Sequence, residues 1–314
     1  PRHARAGEPA RVRRPDGTEL HVEVSGDPAG PTVVLTHGWG ASATEWFHLR
    51  RRLGGRYRLV AWDLPGLGLS KAPASGDFSL PKLADDLRAV LDAAGGPGPA
   101  VLLGHSIGGM ITLTLCQRHP DLLGGRVAGL ALVHTTHTNP VRTTRGRSVL
   151  LPLQRPVLEP LAYLMIGLAP VVWAMNLLSY LNGSAHLSNY RQLFSGACTR
   201  GQLEWATRYV LQVWPATYAR GMLGMMRTYH ATDALPGIGV PTLVVAADRD
   251  RLCEPDASRT MCERMPRAES ATLSPAGHMG LISSHDEFGR AADAFLGRCL
   301  GATPATAGAE GRPV

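Results

Sequence analysis

The chain has 314 residues, 44% of them hydrophobic and 18% charged, with a net charge of +7. That length suits one large domain, or a core with an inserted subdomain, and buries enough apolar surface to need no disulfide or metal staple. The basic residues are almost all arginine and are scattered, apart from Arg11, Arg13, Arg14 and Arg50, Arg51, Arg52; with no basic-and-aromatic module beside them they argue against nucleic-acid binding, while still weakly favouring anionic substrates or membrane surfaces.

Five cysteines, Cys116, Cys198, Cys253, Cys262 and Cys299, follow no zinc-site spacing and read as free, mostly buried thiols. No signal peptide is visible, and the chain starts at Pro1 without Met. Localisation stays open, the cytoplasm being favoured over envelope association or secretion.

Residues 1–9 are polar and are expected to be loose. Two strands follow, at 10–14 and 19–25, around the turn signal Pro15-Asp16-Gly17. A buried strand at 33–36 runs into His37-Gly38-Trp39-Gly40, then a helix from about Thr44 to before Gly54. The strand at 57–62 leads to the loop Asp63-Leu64-Pro65-Gly66-Leu67-Gly68. In 79–94, Leu80, Leu83, Leu87, Val90 and Leu91 mark one face of a helix, entered through Ser79 and Pro81. A strand at 100–103, a helix to about His119 and a strand at 127–133 come next. Strands alternating with helices predict a mostly parallel sheet covered on both faces.

The alternation stops at residues 137–233, which carry no convincing strand and are helical in pattern, with Pro152, Pro156, Pro160, Pro170 and Pro215 as breakers. It resumes with a strand at 241–246, a helix from about Pro255, a strand near 271–273 and a last helix at about 284–299. The predicted organisation is therefore a core at 10–136 and 234–300, an inserted helical cap at 137–233, and a disordered Gly/Ala/Pro-rich tail at 301–314.

Gly104-His105-Ser106-Ile107-Gly108 fits G-x-S-x-G between a buried strand and a helix. That pattern places a serine on a sharp turn, with the amide of Ile107 aimed where negative charge develops during acyl transfer. An acid and then a histidine should follow in chain order. Asp250 lies just past the strand at 241–246 and His278 just past the next one, so both belong to the sheet edge that carries Ser106. Asp248 rivals Asp250 as the acid and reads as a loop residue; Asp63, His37 and His105 read chiefly as hydrogen-bonding groups near the site. His134 and His137, three apart, lack a third metal ligand, and Cys253 reads as a buried thiol.

On these motifs the chain resembles the α/β-hydrolases, specifically the serine esterase, lipase and haloperoxidase-like branch, over about residues 10–300 apart from the insertion. The resemblance implies an α/β-hydrolase fold, Ser106 as nucleophile, His278 as base and Asp250 as acid. It makes the amide of Trp39 the second oxyanion donor beside Ile107, gives Asp63 to Ser70 a structural role, and makes the insertion a lid. Fold relatives that open epoxides or remove halides carry Asp where Ser106 stands, so the serine favours acyl transfer. No metal or cofactor is implied.

From 161 to 181 the insertion has no charged residue. Its length would suit a membrane span, but Gly167 and Pro170 interrupt it, and the expectation is a lid packed on the core, with contact at a membrane surface as the alternative. Met165, Met175, Met222, Met225 and Met226, with Trp173, Trp205 and Trp214, suggest an apolar pocket. The candidate substrate-binding set is His105, Met165, Trp173, Met222 and Met279. Together these readings predict a carboxylic ester hydrolase acting on a hydrophobic ester. A thioesterase, lactonase or C–C bond hydrolase with the same residues is the nearest rival; a ligand-binding or acyl-transferring (cyclase) member of the fold is the second. Substrate identity and oligomeric state are not written in the sequence.

Overall fold

The computed structural model describes residues 7–301. Eight strands form one sheet in the order β1-β2-β4-β3-β5-β6-β7-β8. The hairpin β1 (Glu8–Arg13) and β2 (Glu19–Gly26) is antiparallel, and β2 meets β4 (Arg58–Trp62) antiparallel too. All further pairings are parallel, through β3 (Thr32–Thr36), β5 (Ala100–His105), β6 (Val127–Val133), β7 (Thr242–Ala247) and β8 (Ala268–Leu273). The central strands β3, β5 and β7 are buried along their whole length, as strands covered on both faces must be. The edge strand β8 exposes Glu269 and Ser270.

Helices α1 (Phe47–Leu53), α2 (Leu80–Ala94) and α3 (Ile107–Arg118) follow β3, β4 and β5. On α2 the predicted stripe Leu80, Leu83, Leu87, Val90 and Leu91 is buried. The entry lies where Ser79 and Pro81 placed it, but the Ser79 hydroxyl caps nothing; the amide of Leu80 donates instead to Thr228 in the insertion, at 3.1 Å. Glu8 and Pro9, expected to be loose, start β1, because their backbone pairs with Val24 and Glu23. The rest of the loose start, residues 1–6, and the predicted tail from 302 lie outside the described residues.

Between β6 and β7 the chain makes seven helices: α4 (Arg147–Leu153), α5 (Glu159–Gly167), α6 (Ala169–Leu181), α7 (Ser184–Gln192), α8 (Arg200–Thr207), α9 (Tyr209–Gln212) and α10 (Pro215–Thr228). A wide turn of helix, Gln154–Leu158, joins α4 to α5. The apolar stretch 161–181 is thus no single helix; it breaks at Leu168, whose backbone leaves helical geometry just ahead of Pro170. Among the described residues, the continuous helical run long and apolar enough to cross a membrane is Arg147–Gly167. After β7, α11 (Pro255–Arg264), the single turn α12 (Gly280–Ser283) and α13 (His285–Leu300) complete the chain.

Two apolar layers flank the sheet. Leu87, Ile111, Leu113 and Met261 from α2, α3 and α11 fill one, and Leu49, Leu53, Phe288 and Phe295 from α1 and α13 fill the other. A third, smaller cluster ties α5 to α10 through Ala162, Ala219, Leu223 and Met226. The parallel strands all end on one edge of this rigid slab, and that edge carries the loops of interest.

Candidate active site

Strand β5 ends at His105 and α3 starts at Ile107, so Ser106 alone makes the turn, at φ 53° and ψ −118°. A non-glycine residue held at positive φ is strained, and such strain persists where neighbours over-determine it. Here the amide of Ser106 donates to Val133 O at 2.9 Å, and its carbonyl accepts from the Thr135 hydroxyl at 2.6 Å. The motif glycines have a steric reason: a Cβ on Gly104 would lie 2.4 Å from the Gly108 carbonyl, and one on Gly108 2.2 Å from Thr36 O. Only hydrogen fits between strand and helix at either place.

Past β7, Asp250 is buried and turns Oδ2 to His278 Nδ1 at 2.8 Å, while Oδ1 accepts the amides of Leu252 (2.8 Å) and Cys253 (3.0 Å). Burial opposes its ionisation, but the His278 imidazole and these hydrogen bonds outweigh it and hold the carboxyl below its usual range. Its rival Asp248 instead accepts the Ser274 hydroxyl (2.7 Å) and the Ala276 amide (2.9 Å), bracing the loop that carries His278. Asp63 braces another loop, accepting the amides of Ala43 (2.7 Å) and Leu69 (2.8 Å). His37 accepts the Leu64 amide at 2.9 Å and donates to Gly38 O at 2.8 Å.

The amides of Trp39 and Ile107 donate to no acceptor among the described residues. Both residues lie at the sheet edge, one just past β3 and the other at the first position of α3, where a helix leaves its amides unsatisfied and its dipole positive. The Trp39 indole donates to Tyr218 O in α10 at 3.0 Å and stacks edge-on against Phe78. The β3 loop is thereby pinned to the insertion.

Ser106, His278, Trp39 and Met279 share the wall of one cavity of about 680 Å³, whose other side is built by Leu158, Leu161, Met165, Val213, Met222 and Met226 of the insertion. That is the size of a small-molecule site, and most of the lining is hydrocarbon or thioether. Of the candidate binding residues, His105, Met165, Met222 and Met279 line it. Trp173 does not: it is over a third exposed and its indole donates to Leu211 O at 3.3 Å. Met175, Trp205 and Trp214 are also absent from the lining, the first and last being largely exposed.

A sequence model of the alpha/beta hydrolase fold family matches residues 31–284. The chain belongs to that family. Among its relatives is the pimeloyl-[acyl-carrier protein] methyl ester esterase of Aeromonas hydrophila, 28% identical over 283 residues, a match covering 88% of this chain and all of the relative. Similar solved structures include a thermophilic esterase from Thermogutta terrifontis (TM-score 0.71, 23% identity, 94% of this chain and 100% of that one). Another is the enol-lactonase from Burkholderia xenovorans LB400 (TM-score 0.71, 23% identity, 92% and 99%).

In this alpha/beta hydrolase one carboxylate escaped the motif reading. Glu45 is fully buried; Oε2 accepts the Gly38 amide at 2.9 Å, and Oε1 faces His105 Nδ1 at 2.9 Å. The other ring nitrogen of His105 points at the carbonyl of His278, at 3.1 Å. A carbonyl can only accept, so Nε2 carries a proton, and the Glu45 carboxylate at Nδ1 favours a second proton there and the cationic ring. Burial opposes that charge, but Glu45 outweighs it and raises His105 above the usual imidazole range; the same pairing lowers Glu45 against its burial. One buried ion pair therefore links the loop of Trp39 to the loop of His278. His134 is different again: both ring nitrogens are buried without a partner among the described residues, and burial lowers its pKa to about 3. His137 bonds Thr232 at 2.8 Å. Cys253, fully enclosed, has its thiol pKa pushed well above the ordinary value by burial and by Asp250.

Proposed function

We propose that the chain is a serine hydrolase that cleaves a hydrophobic carboxylic ester through an acyl-enzyme. The observation that carries the reading is Ser106, alone at a strained turn, opening into the same apolar cavity as a histidine backed at 2.8 Å by a buried carboxylate. In this mechanism His278 takes the Ser106 proton as the hydroxyl attacks the ester carbonyl. The amides of Trp39 and Ile107 receive the oxyanion, each donor being worth about 100-fold or more in rate. Asp250 fixes the imidazole tautomer and stabilises the imidazolium, which then protonates the departing alcohol. His278 next activates water to release the acid. Residues 137–233 act as a cap whose methionines and leucines hold the apolar part of the ester.

The relative's substrate, a methyl ester of a carrier-bound pimeloyl chain, suggests a long acyl chain with a small alcohol. The test is hydrolysis of p-nitrophenyl esters of increasing acyl length, alongside methyl esters, a thioester and a lactone, by wild type and Ser106→Ala. Expected is turnover of medium to long chains that falls by about 10⁴-fold or more in the variant. A folded wild type that leaves every acyl compound untouched, or a variant that keeps its rate, overturns the reading.

A further inference from the structure

We infer that the insertion docks this protein on an anionic lipid bilayer, with α5 and α6 facing the membrane. Among the described residues, every exposed large hydrophobic side chain except Leu69 and Leu252 lies between Val149 and Tyr218. Val157, Leu164, Val171, Leu178 and Leu181 are each between 45% and 69% exposed. A soluble surface scatters such residues singly; here they follow one another along consecutive helices of one segment, a concentration that marks an interaction face.

Charge identifies what the face fits. Residues 137–233 hold nine arginines, no lysine and three acids, Glu159, Glu204 and Asp233. The segment is thus +6 of the chain's +7, and the rest of the protein is nearly neutral. Three of those arginines, Arg147, Arg208 and Arg227, meet carboxylates. Exposed Arg155 and Arg191 form no salt bridge among the described residues. Arg155 lies between exposed Leu153 and Val157, and Arg191 shares a face of α7 with exposed Leu187, four residues before it. Apolar side chains flanked by guanidiniums on flexible stems match the boundary between acyl chains and anionic headgroups. A second copy of the chain fits less well, since a symmetric contact would set one +6 segment against another. The face also leads inward: Leu161 is half exposed and at the same time lines the cavity of Ser106.

The test is vesicle flotation of the full chain, independent of any catalytic assay. Vesicles of phosphatidylcholine alone are compared with equal parts of phosphatidylcholine and phosphatidylglycerol. Wild type is expected to float with the anionic vesicles at least about tenfold better than with the neutral ones, and less so in high salt. Arg155→Glu/Arg191→Glu and, separately, Val171→Ser/Leu178→Ser are each expected to weaken flotation by about tenfold, with urea midpoints near wild type because none of the four is a core residue. Wild type that ignores both vesicles, or floats on both regardless of the arginines, overturns the proposal. So does a dimer in ultracentrifugation that Val171→Ser/Leu178→Ser dissolves, which gives the face to a second copy. Capture of a soluble acidic acyl-carrier protein in place of vesicles gives the face to a protein partner and overturns the proposal equally.

Discussion

Asp250, Glu45 and His105 sit at the sheet edge with every side-chain polar atom engaged, whereas the helices from Arg147 to Gln192 turn Val157, Leu164, Val171 and Leu178 to solvent. Both regions border the same cavity. The first is held by short hydrogen bonds among buried groups, which tolerate little displacement because each lost partner strands a charge or an amide. The second turns mostly hydrocarbon to the cavity, and hydrocarbon contacts are non-directional and forgive small shifts. Chemistry that needs fixed geometry belongs with the former, and the choice of an apolar substrate with the latter. Substitutions at the sheet edge should therefore act on kcat, and those in the insertion on KM and chain-length preference.

The largest effect is expected from Asp250→Asn. Removing the charge beside His278 leaves the ring free to adopt the wrong tautomer, at a cost of about 10⁴-fold in kcat. Asp248→Asn removes only a brace on Ser274 and Ala276 and should leave kcat within about threefold. Steady-state kinetics on one ester decide between them, and the reverse ranking would reassign the acid to Asp248. Because the Asp250 carboxyl is held below its usual range, its contribution to stability is present above the unfolded value and is lost as pH falls through the depressed one.

Next comes Glu45→Gln, which keeps the shape of the side chain and deletes the charge that pairs His105. Breaking a buried pair from one side costs about 3 kcal/mol, and both the Trp39 and His278 loops lose a shared anchor. A urea midpoint well below wild type and a kcat drop of about 10- to 100-fold are expected. The pH dependence gives an independent check. His105 is raised, so its pairing stabilises fully below the unfolded imidazole value and is lost as pH rises through the folded one. Glu45→Gln should flatten that alkaline fall; an unchanged profile would leave the pair without the linking role.

The fold was legible in the sequence because buried parallel strands write themselves as short apolar runs, and the runs ending at Thr36, His105, Val133 and Ala247 each lead to a loop of the site. That Ser106, Asp250 and His278 come to one sheet edge was legible for a related reason: a motif and a chain order are local signals. Glu45 was not, since it lies in the short turn Ala43–Trp46 and meets Gly38 and His105 only because β3 and β5 pair side by side, and Thr44-Glu45-Trp46 reads as an ordinary helix start. Trp173 failed in the opposite direction. Composition marks a tryptophan as core or pocket, but the break at Leu168 rotates α6 so that its indole reaches the α9 backbone. Side-chain direction across an interrupted helix is a tertiary property, and no window of sequence carries it.

A modest effect is expected at one close contact between the Trp39 loop and the insertion. Gly221 of α10 lies against the Trp39 indole: a Cβ there would sit 1.9 Å from Cζ2 and 2.2 Å from Cε2. Alanine in a helix interior is worth about 1 kcal/mol over glycine, so on propensity alone Gly221→Ala would stabilise. Overpacking against a fixed ring costs about 1–3 kcal/mol, and Trp39 is fixed by its bond to Tyr218 O and by Phe78. The clash should therefore win by a small margin. Any shift it forces on Trp39 moves the amide proposed to receive the oxyanion, so kcat is expected to fall by about tenfold with a small loss in the urea midpoint. Trp39→Phe removes the ring atoms that Gly221 faces, and the double variant Trp39→Phe/Gly221→Ala should recover most of what Gly221→Ala alone lost. Equal losses in the single and double variants would mean that the insertion and the Trp39 loop move independently, and the division between fixed chemistry and adaptable binding would then run through α10 itself.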